Sequence, residues 1–488
     1  MKTLHLNFWI FFGLLMLGCG NLFAQSATVT VKTETNNELM ELNCYWIEDN
    51  FEFFNFTPLQ KNKASRKGDS FTIDFDSTMS YRYITIKDEK GRNSKNLLLF
   101  DYLICPGDQI IVWDDGINDL TFSGRGSEKF KLQYQLSKIE KAFFLDKSLN
   151  DTNYLPNQGK LSTDVYNILA SNLSYNYAKR DSQLYVLDLY KGLLSQSVYD
   201  LIKLNVIGKT EQTILKHLYM KFYRLSHKYM KLSEEKSSLL EIYSRRNTRL
   251  NEVTENVIIH ANELQLYSMS RMKYKDWLGK LYEQEFVHFP IDIPFADRVL
   301  YRYFYRNYSK INSVKHKEIL SQISEIKYKT TIQNFLKNIE YGAVIPNFQL
   351  QDTSGNLIHL SNFYGKIIIL DFWYTGCGNC RVLHENMKPI KAELQNIKDL
   401  IFINVSIDGN FEQWRQSVNN GDYTDKSDIS LYTMGKKSLH PLITFFNVMS
   451  YPRQVIIDRE MRIVETQVPR VGNKINDAAF KALIEKLR

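Results

Sequence analysis

The most constraining stretch of this chain lies in its last third. Ile367-Ile368-Ile369-Leu370-Asp371-Phe372-Trp373 is an apolar run of strand length, Tyr374-Thr375-Gly376 is a turn, and Cys377-Gly378-Asn379-Cys380 opens a helical pattern. A run so uniformly apolar predicts a strand covered on both faces, and therefore a domain of helices around a central sheet. The order of strand, turn, paired cysteines and helix also predicts chemistry. Thiolate is the attacking form of cysteine, and the free N–H groups at a helix start stabilise negative sulfur and lower its pKa. Cys377, nearest that start, is the expected nucleophile. Cys380, one turn deeper, is placed to attack back on a mixed disulfide and release the reduced partner.

Other uses of two cysteines at this spacing fit less well. Zinc needs four ligands, but there is no second C-x-x-C, and His359, His384 and His440 are scattered. Covalent haem attachment needs His directly after the second cysteine, where Arg381 stands. A bridge across two residues removes little chain entropy and makes a poor staple. No metal and no cofactor is expected.

The full length of 488 residues predicts two to four domains at roughly 100 to 200 residues each. With 44% hydrophobic and 24% charged residues the composition is globular. Residues 25–126 alternate with period two, as in Val29 and Val31, Phe71, Ile73 and Phe75, or Ile84 and Ile86, and read as a β domain. Cys44 and Cys105 fall within it, either as a structural bridge worth about 2 to 4 kcal/mol or as two buried thiols. Residues 127–340 take up a helical period, with Leu132, Leu136, Ile139 and Phe143 on one stripe and Ile319, Ile323 and Ile326 on another. Residues 341–488 read as α/β, with strands at 366–373, 400–407 and 454–458 and helices after Cys377, after Asn410 and at 476–487. The expected architecture is thus multidomain, α+β and α/β: an N-terminal β domain, a helical middle and a C-terminal sheet domain.

The net charge of +8 comes from 62 Lys and Arg against 54 Asp and Glu that alternate along the chain, so no basic arm for nucleic acid is predicted. Tyrosines and basic residues interleave over 298–310, which reads as a helix burying an aromatic face rather than a stacking platform for bases. At the amino end, Lys2 and the apolar residues 8–17 followed by Leu22-Phe23-Ala24 have the grammar of a cleaved signal peptide covering 1–24. Met16-Leu17-Gly18-Cys19 offers lipid anchoring at Cys19 as the rival reading. Either reading places the protein in the periplasm or cell envelope, where cysteines can be oxidised.

Residues 341–488 resemble a thioredoxin-like domain of the TlpA/ResA disulfide-reductase type, which borders the AhpC/TSA peroxiredoxin superfamily. The resemblance extends beyond the cysteines to Pro346-Asn347-Phe348-Gln349-Leu350, Asp352, Gly355-Asn356, Leu360-Ser361, Phe363-Tyr364-Gly365-Lys366 and Tyr451-Pro452 before 454–458. It implies a cis Pro452 packed against the cysteine pair, a Tyr451 backbone that pairs with an extended substrate, and Trp373 as a further substrate contact. It also implies that Asp371 is the buried acid that takes the proton of Cys380. The chain departs from the family at Gly376, where Trp usually precedes the first cysteine, at Asn379 in place of Pro, and at Leu383 in place of an acid. Dithiol potentials span about −270 to −120 mV, and these departures leave the value open.

The expected activity is dithiol-disulfide exchange in the reductase direction. Disulfide-bearing envelope proteins would be the substrates and a membrane thiol-disulfide protein the electron donor. A thiol peroxidase is the alternative enzyme, but its Thr would stand three residues before the reactive cysteine, whereas Thr375 stands two before Cys377. A non-catalytic envelope interaction protein is the alternative outside enzymes.

Overall fold

The computed structural model describes residues 26–33, 42–48, 60–75, 81–88, 97–115, 119–145, 161–226, 240–241, 243, 255–278 and 293–487. The expected signal peptide and Cys19 lie outside them. Among the described residues no helix is long and apolar enough to cross a membrane. The described residues from 26 to 243, with Asn256–Glu263, form one compact unit, and those from Leu264 onward form a second.

The first unit begins with nine strands: β1 (Ala27–Thr33), β2 (Leu42–Glu48), β3 (Gln60–Lys63), β4 (Ser65–Lys67), β5 (Ser70–Phe75), β6 (Arg82–Asp88), β7 (Leu97–Ile104), β8 (Gln109–Asp114) and β9 (Leu120–Arg125). They make a sheet in the order β4-β5-β1-β8-β9 and another in the order β3-β2-β6-β7. Alternation explains the arrangement. Along β1 every second residue is buried, and Val29, Val31, Phe71, Ile73 and Val112 of one sheet share a core with Cys44, Ile84, Ile86 and Leu99 of the other. Helix α1 (Ser127–Leu145) closes this core with Phe130, and α2 (Leu161–Leu189) and α3 (Gln196–Ser226) follow. On α1 the predicted stripe is graded: Leu132 and Leu136 are buried, Ile139 and Phe143 half-buried.

The possible Cys44–Cys105 bridge is not formed; both residues are thiols. Cys44 is level with Ile86, and Ile86 with Leu99 of β7, two strands away, at roughly 10 Å. Cys105 lies beyond the end of β7, a further ~17 Å or more along the strand, while a disulfide needs Cα atoms within about 7 Å. Burial pushes the Cys44 thiol up to about 12, so it behaves as core filling.

The second unit holds α4 (Asn262–Lys273) from Leu264 onward, then α5 (Ile293–Asn307), α6 (Ser313–Gln322) and α7 (Ile326–Asn338). The helical middle is therefore shared between the two units. Tyr301, Phe304, Tyr305 and Tyr308 are buried, and the last three rings pack around Phe335, so the aromatic face of 298–310 is core. The stripe Ile319, Ile323, Ile326 does not hold as one face. The chain turns at Ser324 and Glu325, whose N–H groups both donate to the Asp297 carboxylate, and Ile326 is 76% exposed at the start of the next helix.

The rest of the second unit is a seven-stranded sheet in the order β11-β10-β14-β13-β12-β15-β16. Its strands are β10 (Gln349–Gln351), β11 (Leu357–His359), β12 (Ile367–Trp373), β13 (Leu400–Ser406), β14 (Ile429–Tyr432), β15 (Arg453–Ile457) and β16 (Ile463–Glu465). Its helices are α8 (Gly378–Leu394), α9 (Phe411–Asn420), the short α10 (Pro441–Phe445) and α11 (Lys474–Glu485). The three strands and three helices predicted for this domain agree with observed elements to within two residues. β12 pairs in parallel with β13 and antiparallel with β15, so it is central and its ends are fixed from both sides.

Alkylation of the unfolded protein without reductant, read by peptide mass mapping, should label Cys44 and Cys105 and leave Cys377 and Cys380 unlabelled until a reductant is added. A Cys44–Cys105 linked peptide would contradict this fold.

Candidate active site

β12 ends at Trp373 and the chain reaches α8 through a three-residue turn. Gly376 takes φ +94°, a left-handed conformation in which a side chain is strained. That is a local reason for glycine where the resembling family carries Trp. Its N–H donates to the Tyr423 hydroxyl at 2.9 Å. Asp408 holds the same turn, accepting from Thr375 N–H at 3.0 Å, from Thr375 Oγ1 at 2.8 Å and from Ser406 Oγ at 2.8 Å.

Cys377 and Cys380 are joined as a disulfide, with Cα atoms 5.2 Å apart. Cys377 is the N-cap of α8, and its Sγ accepts from Cys380 N–H at 3.1 Å. A backbone donor aimed at this sulfur stabilises it as thiolate. The pair is sheltered, with Cys377 only 3% exposed, in a cluster with Trp373, Trp414, Tyr423 and Tyr432. Arg470 reaches over the motif and donates to the Asn379 carbonyl at 3.1 Å.

Alternation along β12 places Asp371 on the same face as Ile369, which packs with Leu383 and Met387, and Trp373, which packs with the cysteines. The acid therefore lies under α8. Asp371 is half-buried as a residue, yet its Oδ1 is shut off from solvent and has no hydrogen-bond partner. Burial pushes its carboxyl up to about 8, against a smaller opposing pull from the Lys391 ammonium. An acid at that value can give or take a proton near neutrality.

Three residues of this site escape a reading of local motifs. Lys391 lies on the buried stripe of α8 with Cys380, His384, Met387 and Leu394, and it bonds Asp425 at 2.7 Å and Asp428 at 2.6 Å. Asn404, level with Asp371 on β13, donates to Asp428 at 2.8 Å. The available signal was a lysine at a core spacing of an amphipathic helix, which needs buried carboxylates to pair with. Asp408 gave no such signal, because the turn it holds lies 33 residues away at Thr375.

The peptide bond from Tyr451 to Pro452 is cis, and Tyr451 packs beside the cysteine cluster with its ring 5.5 Å from that of Tyr374. Trp373, expected as a substrate contact, is fully buried and stacks on Tyr423 at 4.7 Å. It supports the cysteines from beneath, since a side chain with no exposed surface cannot touch a substrate. Among the described residues no group of three or more His, Cys, Asp or Glu side chains is arranged to hold a metal.

Residues 365–463 match the thioredoxin-like family model. The C-terminal domain is thioredoxin-like. It is 28% identical over 137 residues to the thioredoxin-like protein YneN of Bacillus subtilis, a match covering 28% of this chain and 76% of that protein. A second match, 44% identical over 45 residues, is to the thiol-disulfide oxidoreductase ResA of the same organism and covers 9% of this chain and 25% of ResA. The crystal structure of the thioredoxin domain of a Bacteroides vulgatus thiol-disulfide oxidoreductase aligns over 30% of this chain and 99% of that one, with 22% identity and a TM-score of 0.26. A thioredoxin-like protein from Bacteroides caccae aligns over 52% of this chain and 77% of its own, with 17% identity and a TM-score of 0.28. The stretch matched by ResA is thus similar to a protein named as a thiol-disulfide oxidoreductase.

Asp371 carries a stability prediction with a definite sign. Its folded-state value of about 8 lies above the ordinary 3.8, so between those limits the folded protein holds a proton that the unfolded chain has lost. Stability should therefore fall as pH rises across that window, by up to about 1.4 kcal/mol per pH unit. Asp371→Asn should flatten the slope and be more stable than the parent at pH 8. Urea unfolding of the oxidised protein at several pH values checks this, and an unchanged slope would contradict the neutral Asp371.

Proposed function

We propose that the protein is an extracytoplasmic thiol-disulfide oxidoreductase that reduces disulfides in envelope proteins. The observation that carries this reading is a C-x-x-C pair at a helix start with a sheltered carboxyl group beneath it. In the reduced enzyme, Cys377 thiolate attacks one sulfur of a substrate disulfide. A Cys377–substrate disulfide forms and the other substrate sulfur leaves as thiolate. Asp371, ionised because it gave its proton to Cys380 when the pair was last reduced, takes that proton back, and Cys380 attacks Cys377 Sγ. The second substrate thiolate leaves, and two electrons have passed from the enzyme dithiol to the substrate. Recycling runs the same groups backwards: a dithiol donor attacks Cys377, Cys380 departs as thiolate, and Asp371 returns the proton. The signal-like amino end supports the location, and resemblance to the TlpA/ResA type supports the direction.

Cys380→Ser should trap a mixed disulfide between Cys377 and substrate, visible as a higher-mass band that collapses on reduction, and Cys377→Ser should trap none. Asp371→Asn should slow turnover of a model disulfide by about 10²-fold or more and remove a limb from the pH profile. A reduction potential near about −270 mV would agree with a reductase, and one near about −120 mV would reverse the direction. A pair that does not cycle would refute the catalytic reading.

A further inference from the structure

The first unit contains a cavity of about 380 Å³, a size typical of small-molecule sites. It lies between β7 and the helices α1 and α3, far along the sequence from the cysteine pair, and the thiol chemistry makes no use of it. Leu136, Ile202 and Val206 supply apolar wall, and Tyr102 supplies aromatic wall.

An irregularity in β7 aims a carboxyl group into this space. Ile84 is level with Tyr102 and Ile86 with Leu99, so Thr85 on β6 faces two residues, Phe100 and Asp101, on β7. This is a β-bulge, a device that re-aims a side chain. Asp101 completes it in the left-handed region at φ 60°, with its N–H donating to Thr85 Oγ1 at 3.2 Å. The side chain so redirected lines the cavity, and burial raises its pKa. Among the described residues the Asp101 carboxyl accepts no hydrogen bond, and the opposing charge it feels is that of Lys209. That ammonium is already bound to Glu140 at 2.7 Å and also feels Glu263, so three carboxyl groups of the lining share it. Lys141, the other cation of the lining, sits at an exposed position of α1.

A half-sequestered carboxyl group without a donor, beside an apolar wall, is complementary to a positively charged donor on an apolar body. We propose that this cavity is a binding site for a small organic amine, whose ammonium group supplies the hydrogen bonds Asp101 lacks and whose apolar part lies against Leu136, Ile202 and Val206. The site is independent of the disulfide chemistry and would stand if that reading failed.

Calorimetric titration of the full chain with phenethylamine tests it, with 2-phenylethanol as the neutral ligand of the same shape. The expected result is saturable binding of the amine, at least about tenfold tighter than the alcohol, which corresponds to about 1.4 kcal/mol. Asp101→Asn should remove that preference, Val206→Phe should weaken both ligands by filling the wall, and Cys377→Ser should change neither. No saturation by the amine at millimolar concentration, or equal binding of amine and alcohol to the unaltered protein, would overturn the proposal; this comparison needs no variant to fold. Retention of the preference in folded Asp101→Asn would also overturn it.

Discussion

The reactive end of the protein depends on the pinning of β12 from both sides. Backbone pairing to β13 and β15 fixes where the strand stops, and the left-handed Gly376 fixes where the helix begins. Between those two points the thiol of Cys377 has little freedom to be anywhere but over the first free N–H groups of α8. The same strand fixes the depth of Asp371. Its partners on either side, Asn404 and Gln454, are level with it, so the ladder holds the Asp371 backbone at this depth. Burial, more than any single neighbour, raises the pKa of this acid.

Much of this was legible in the sequence. Apolar run length separates the buried central strand from the half-buried strands of the first unit, and turn residues mark where each ends. Paired cysteines at a helix start carry their own chemical meaning. What was not legible depends on contacts between distant segments. Nothing local to Cys44 says that Cys105 lies two strands away and past the end of its strand. The break after Ile323 is set by Asp297, 27 residues earlier, which offers one carboxylate to two successive N–H groups. Trp373 has the composition of a substrate contact, and only its stacking on Tyr423 reveals it as support.

The groups beneath α8 show how a largely sheltered lysine is paired. Lys391 faces Asp425 and Asp428, the latter almost wholly buried and also bonded by Asn404. Removing one member would leave the others short of a partner in a largely sheltered place, which makes such a cluster costly to break even though its net contribution to stability is modest. Its ammonium also acts at Asp371, restraining the rise that burial alone would impose.

Tyr308, just beyond α5, donates its hydroxyl to the Phe446 carbonyl at 2.6 Å and accepts from Arg453 at 3.1 Å, one residue after the cis proline. Gln467 donates to the Tyr308 carbonyl, and Asn447 to that of Tyr305. A piece cut at the edge of the recognisable homology would leave these groups open on the flank of the strand that follows the cis proline. The family-model match and the hydrogen-bonded network thus have different borders here: the match begins at residue 365, whereas the polar contacts that flank this strand reach back to Tyr305 and Tyr308.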